Sequence, residues 1–193
     1  LKKNVSIIFE NKVEAIGSHE KPIIFKSNSD KDYFGTVAIH GLKTEGSIFK
    51  NVLIQNGSGN RINGINYFSS LSIHSTKNIR LKNIEVRNNS KYDDMVHIIY
   101  SKDVKVENSK FINAFRDSID VDISENIYFN QVEITNSGND GIDFMESTAT
   151  LKNLTVILSG DKGISVGENS FLILNNSLLS ENNIGIATKD RSF

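Results

Sequence analysis

The chain contains no cysteine and a single proline, Pro22, in 193 residues. Without cysteine there is no disulfide framework and no thiolate chemistry. That absence suits any compartment, so it does not locate the protein. No run of about 18 apolar residues occurs, which excludes a membrane-spanning helix. The formal net charge is −1, so no bulk field favours nucleic acid or an anionic membrane, and neither is expected as a partner. One proline and 13 glycines argue against a linker-rich chain. The segment at Leu1 has no signal-like apolar core, and the chain is expected to be a piece of something longer.

What is present is a repeat. Ile119, Ile142, Ile164 and Ile186 open successive phrases at steps of 23, 22 and 22 residues. A regular period in this range marks a solenoid and outranks local propensity. The composition is that of a globular chain, 38% hydrophobic and 23% charged.

Each phrase resolves into three short strands with period-two alternation. The first carries Val96/Ile98, Ile119/Val121, Ile142/Phe144 and Ile164/Val166. The second carries Ile79/Leu81, Val104/Val106, Ile127/Phe129, Ala149/Leu151 and Phe171/Ile173. The third carries Ile84/Val86, Phe111 alone, Val132/Ile134, Leu154/Val156 and Leu178. Alternation of this kind buries one face of a strand and does not fit a helix. Three strands in 22–25 residues make one coil of a parallel β-helix, with coils stacking at about 4.8 Å. No coil buries its own apolar face, so the core is built from stacked columns. The expected fold is all-β: a right-handed parallel β-helix forming a single domain over residues 1–193.

A second column supports this fold. Asn51, Asn83, Asn108, Gln131, Asn153 and Asn175 recur between second and third strands. Asparagine tolerates the left-handed backbone of a sharp corner, and stacked amides hydrogen-bond along the axis. From these features the sequence, over about Val37 to Ser192, resembles the right-handed parallel β-helix superfamily, the pectate-lyase-like group. Such proteins carry an amide ladder at that corner. The Gly17–Ser27 stretch, GSHEKPIIFKS, is similar to a phrase frequent in bacterial β-helix proteins. Residues 1–35 read as less regular first coils, with a polar turn from Asp30 to Tyr33, and residues 36–193 as the regular part. Asn56–Asn66, NGSGNRINGIN, is an insertion of about ten residues, since the Asn51–Asn83 step is 32 residues. Loops lengthened on one side of a solenoid commonly build its binding wall. The last phrase, GIATKDRSF, stops part-way through a coil, so further chain or an oligomeric partner is expected to cover that strand edge.

The outward side of the first strand carries the chemistry. One column runs Ser72, His97, Asp120, Asp143, Ser165, Ala187, and the next His74, Ile99, Asp122, Met145, Gly167, Lys189. His40 belongs to an earlier coil. The turns entering this face carry Asp93, Asp94, Arg116, Asp117, Asp140, Asp161 and Lys162. Carboxylates this close raise one another's pKa or attract a cation. Three chemistries follow. Calcium could sit among Asp120, Asp122 and Asp143. A carboxylate pair from the same set could hydrolyse a glycosidic bond. A base such as His97, His74 or Lys162 could take the C5 proton of a uronate while a cation or Arg116 neutralises its carboxylate, which is the lyase or epimerase route. His74, Asp117, Asp140, Asp161 and Lys189 are the expected substrate-binding residues around them.

The resemblance implies ligand binding across this first-strand sheet, hence polysaccharide as the partner and an extracellular, periplasmic or cell-surface location. Polygalacturonase-type members carry N-T-D, D-D and G-H-G phrases on successive coils. Arg116-Asp117-Ser118, Asn139-Asp140-Gly141 and Gly160-Asp161-Lys162-Gly163 stand in comparable places here. No G-H-G occurs, and the D-P-H-D phrase of mannuronan epimerases is absent. No catalytic assignment is therefore carried over from either. Two function classes remain at this level: a polysaccharide-recognising domain that cleaves or modifies an acidic or neutral polysaccharide, and a non-catalytic scaffold or adhesin-like module. A fragment of a phage or adhesin fibre is a third. In the bland reading Asp140-Gly141 is turn chemistry and the aspartates only keep an exposed sheet wet.

Overall fold

The computed structural model describes residues 1–29 and 31–193, so the expected turn at Asp30 lies in part outside the described residues. Two parallel sheets run along the molecule. The first joins eight strands: Ile7–Phe9, Val37–His40, Ser69–His74, Asp94–Ile99, Ile119–Asp122, Ile142–Met145, Lys162–Gly167 and Ile184–Thr188. The second has nine, including Ile48–Gln55, Arg80–Arg87, Lys105–Ala114, Ile127–Ser137 and Thr148–Ser159. Each strand pairs with its counterpart one repeat later, as the period requires. Residues 7–26 already form a coil, with Ile7–Phe9 paired to Val37–His40 and both Glu14–Ile16 and Ile23–Lys26 paired to Ile48–Gln55. No helix among the described residues is long and apolar enough to cross a membrane.

The inward columns are dry. Ile39, Ile73, Ile98, Val121 and Phe144 stack with no exposed surface, and Phe49, Leu81 and Phe129 do the same in the second sheet. Each fully buried side chain of this size contributes about 1.5–3 kcal/mol. Where Phe111 stands alone on its strand, Ser109 occupies the apolar position and donates its hydroxyl to Glu107 O at 2.7 Å. The inward Ile186 of the last coil is 45% exposed.

The expected second and third strands are hydrogen-bonded as one long strand with a bend inside it. The bend falls on Asn51, Asn83, Asn108, Gln131 and Asn153, whose φ values lie between 50° and 55°. Amide hydrogen bonds run along this corner, from Asn83 Nδ2 to Asn51 Oδ1 at 3.0 Å and from Asn153 Nδ2 to Asn130 Oδ1 at 2.9 Å.

The last coil corrects the expected register. Asn176, not Asn175, holds the left-handed corner at φ 49° and donates to Asn153 Oδ1 at 2.6 Å. Leu172 and Leu174 pair with Ala149 and Leu151, so Phe171 and Ile173 point outward. Likewise Leu179 takes the inward place expected for Leu178, which is 54% exposed. The run Phe-Leu-Ile-Leu has no alternation and cannot choose its own face, and a one-residue slip exchanges the faces. The register is set by a serine column the alternation does not show. Ser101, Ser124 and Ser147 N–H groups donate to the Oγ of Ser124, Ser147 and Ser170 at 3.0, 3.0 and 3.1 Å.

A further amide column, Asn88, Asn113 and Asn136, lies at the next corner, with φ between 57° and 61° and Nδ2-to-Oδ1 bonds of 3.0 and 2.9 Å. The Asn56–Asn66 insertion is an antiparallel hairpin, Asn60–Ile62 with Ile65–Tyr67. Its turn residues Asn63 and Gly64 have φ of 51° and 82°, the left-handed pair of a type I′ turn.

Candidate active site

The first-strand sheet places the outward columns in the expected register: His97 pairs with Asp120 and Asp120 with Asp143, while Ile99 pairs with Asp122. At the start of these strands the alternation breaks. Met95 and Val96 both donate N–H groups to the next coil, to Asp117 O at 2.9 Å and Ser118 O at 3.0 Å. Ser118 and Ile119 repeat this one coil on. Consecutive donors on one side form a bulge, which re-aims the preceding side chain. Asp94, Asp117 and Asp140 precede these bulges at steps of 23 residues, and Lys162 follows 22 residues later. At Gly141 an added Cβ would lie 2.5 Å from Gly163 O, so this close approach of successive coils needs glycine.

Asp117 Oδ1 accepts N–H bonds from Asp140 (2.6 Å) and Asn139 Nδ2 (2.8 Å), and Asp140 Oδ1 accepts from Lys162 N (2.8 Å). The bulge carboxylates are thus partly structural. Burial nevertheless pushes Asp117 up to about 6, against the pull of those hydrogen bonds. Burial also raises Asp140, opposed by Lys162.

The centre of the site is Asp94, His97, Asp120 and Asp122. His97 Nε2 lies 3.1 Å from Asp122 Oδ2 and 3.8 Å from Asp120 Oδ2. Asp94, His97 and Asp120 each bring one donor atom within 4.8 Å of the others, and so do Asp93, Asp94 and Asp117. The expected calcium set of Asp120, Asp122 and Asp143 does not converge in this way among the described residues. These side chains sit at the surface of the sheet but are largely covered, with His97, Asp120 and Asp122 at 14, 21 and 15% exposure. Burial, then repulsion from Asp94, drives the Asp120 carboxyl far above the usual carboxylate range. Burial, then repulsion from Asp117 and Asp93, does the same to Asp94. Burial and mutual repulsion thus favour a proton on the Asp94–Asp120 pair.

The other expected site residues fall around this centre. Arg116 sits on the rim, paired with the exposed Asp93 at 3.3 Å. Lys162 is tied to Asp140 at 3.5 Å and to Asp161. Its hydrogen bond with Asp161 raises its pKa, which makes it a poor base. Lys189 is exposed and lies two coils beyond the Asp122–Met145 pair, away from the cluster.

His74 lines the pocket beside the hairpin but is almost entirely covered. It is 5% exposed, beneath Tyr67, whose ring stacks on it at 5.0 Å. Burial, then His97 and His40, pushes His74 down to about 3, so it is neutral. Tyr67 Oη also pairs with His40 Nδ1 at 2.9 Å. Tyr67 and the aim of Asp94 were not read from the chain. The Asn63-Gly64 pair between Ile62 and Ile65 was the signal for the hairpin that carries Tyr67. A pocket of about 420 Å³ opens between this hairpin and the cluster, lined by Ile65, Asn66, Phe68, Asp94, His97 and Tyr100 among others. A larger concavity, about 690 Å³, follows the Asn51, Asn83 and Asn108 corner and contains none of these aspartates.

The architecture and the site together define a parallel β-solenoid with a row of carboxyls on its first sheet. The chain belongs to the right handed beta helix region family, whose model matches residues 94–193. A search of curated proteins finds no match. Two solved structures share the fold. One is the catalytic domain of a GH87 alpha-1,3-glucanase in complex with tetrasaccharides, at TM-score 0.60 and 15% identity, covering 91% of this chain and 39% of that one. The other is the enzymatically active domain of bacteriophage CBA120 tailspike protein 2, at TM-score 0.53 and 12% identity, covering 92% and 38%. An alginate lyase from Paenibacillus sp. str. FPU-7 aligns at TM-score 0.44 and 11% identity, covering 98% of this chain and 90% of that one. The chain spans about two fifths of the length of the first two.

Proposed function

We propose that the first-strand face binds a neutral polysaccharide and hydrolyses it with a pair of aspartates. The observation that carries this reading is the covered Asp120 carboxyl, within reach of Asp94 and His97, its pKa raised by burial, beside carboxylates on the same strand and on the next coil. A protonated carboxyl among carboxylates is the acid that glycoside hydrolysis needs at neutral pH. Asp120 gives its proton to the glycosidic oxygen. Asp122, held by His97, lies two residues along the strand, about 6.5–7 Å away between Cβ atoms. Asp122 would then be the base of an inverting reaction, its Oδ2 and that of Asp120 lying 3.1 and 3.8 Å from the one His97 Nε2. Asp143 stacks about 5 Å away on the next coil, the spacing of a retaining nucleophile.

A neutral glycan is favoured over a polyuronate because the aspartates outnumber the cations, and Arg116 and Lys162 are already paired. Such a surface repels a polyanion. Of the bases considered for the lyase route, His74 is covered, Lys162 is held protonated and His97 is engaged with Asp122 at 3.1 Å. The two neighbours with the better overlap are a glucanase domain and an enzymatically active tailspike domain, which agrees with a polysaccharide substrate. A polymeric substrate would place the protein at the cell surface, in the periplasm or outside the cell.

The test is release of reducing ends from a panel of neutral polysaccharides that includes α-1,3-glucan. The wild type should cut one of them, and Asp120→Asn should abolish the cleavage with the melting transition intact. Binding without release from any of the panel would instead mean a non-catalytic glycan-binding module. A second reading rests on the convergence of Asp93, Asp94 and Asp117: an all-oxygen set suited to calcium, which would let the face accept a uronate.

A further inference from the structure

The sheet that carries the carboxyls has a hairpin across one side of it. Its outward columns extend from His97 through Asp120 and Asp143 to Ser165 and Ala187. On the other side of His97, the corresponding surface over His74 and His40 carries Tyr67, itself 2% exposed, and both histidines line the pocket beside it. Tyr67 stacks on His74 with an interplanar angle of 24° and is bonded to His40. The hairpin is also fastened at its base. Phe68 stacks on Tyr92 at 4.4 Å and 9°, on the turn that leads into Asp94. Asn60 Nδ2 donates to Asn4 O at 3.0 Å. Gly59, at φ 87°, packs so closely that a Cβ would lie 2.7 Å from the Phe68 backbone. These contacts make the hairpin a fixed wall across the path that a chain lying along the stacked coils would follow.

We propose that the Asn60–Tyr67 hairpin closes this groove at one end, so that the site takes a polysaccharide chain end and releases a short product rather than cutting internally. This rests on the hydrolase reading above. The pocket of about 420 Å³ between the hairpin and the cluster is the terminal subsite. It has the size of a small-ligand cavity and a wall of mixed apolar and polar groups: Ile65, Asn66 and Phe68 on the hairpin and Tyr100 on the corner. Tyr100 is 58% exposed, which leaves its ring face free to stack on an apolar sugar face. The subsite is short because His97 in the pocket and the Asp120 acid lie on adjacent strands, about 4.8 Å apart.

The experiment follows the products of whichever polysaccharide in the neutral panel is cut. Reducing ends, polymer size and product size are read from the first turnovers. The expected result is one short product from the start, with residual polymer size falling slowly. A ladder of products with early collapse of polymer size would overturn the chain-end proposal and leave the hydrolase reading standing. No cleavage of any member would overturn both. Replacing Tyr67 by Ala, and separately residues 60–66 by Gly-Gly, should open the groove and shift early products toward longer fragments. The wild-type pattern decides the matter even if neither variant folds.

Discussion

The protons on Asp94 and Asp120 make stability depend on pH in a way that can be measured without knowing the substrate. Both carboxyls are raised in the folded protein, so the folded state holds protons that the unfolded chain releases near pH 4. Their favourable effect is complete below that pH and is lost as pH rises through the folded values. His74 acts in the opposite sense: depressed to about 3, it favours folding above about pH 6.5 and loses this as pH falls. Between pH 7 and 8 His74 contributes little and the raised carboxyls dominate. Each retained proton gives a slope of about 1.4 kcal/mol per pH unit. For a chain of this length that is about 3–5 °C in Tm per pH unit. Thermal unfolding of the wild type should therefore show Tm falling by at least this much from pH 7 to 8. Asp120→Asn cannot ionise in the folded or the unfolded chain, so its slope should drop by one proton's worth and its Tm at pH 8 should exceed the wild type's. A flat wild-type profile over this window, or a variant with the wild-type slope, would refute the claim that these carboxyls hold protons.

Calcium offers a related test. If Asp93, Asp94 and Asp117 hold the ion, millimolar calcium should raise Tm at pH 8 and flatten the slope as metal replaces protons, with a chelator reversing both. The stereochemistry of the cleaved product, read by NMR immediately after cleavage, assigns the partner of Asp120. Inversion requires Asp122 and a water, retention requires Asp143, and the matching Asp→Asn variant should lose activity by 10²-fold or more, on the order of a lost general base or nucleophile. At the corner ladder, Asn153→Ala removes a donor to Asn130 and an acceptor for Asn176 from a left-handed residue, and should cost about 2–3 kcal/mol in denaturant melts. In the core, Phe129→Ala should cost about 3–5 kcal/mol without altering the site, because Phe129 has no exposed surface and packs edge-on against Phe144 at 6.5 Å.

Much of the fold was legible because a solenoid translates sequence period directly into space. The step from Ile119 to Ile142 is the step between stacked strands, and the His97–Asp120–Asp143 column follows from it. Legibility ended where the period had no contrast. Phe171–Leu174 is apolar at every position, so hydrogen bonds on either side of it, Ser147 to Ser170 and Asn176 to Asn153, mark the face that the pattern does not. It ended again at the bulges, where two consecutive donors on one side turned Asp94 toward Asp120. Alternation counts residues and cannot register a change of pairing at one of them.

The chain's own pattern determined the coil, the apolar columns, the asparagine corners and the gathering of aspartates and histidines on one sheet, because each depends only on spacing and on facing in or out. Tertiary structure alone decided which acids keep a proton, since that depends on how many charges are buried together. It also decided that His74 is covered and that the groove has a wall. Both depend on Tyr67, which an antiparallel hairpin folds back across coils that its place in the sequence does not reveal.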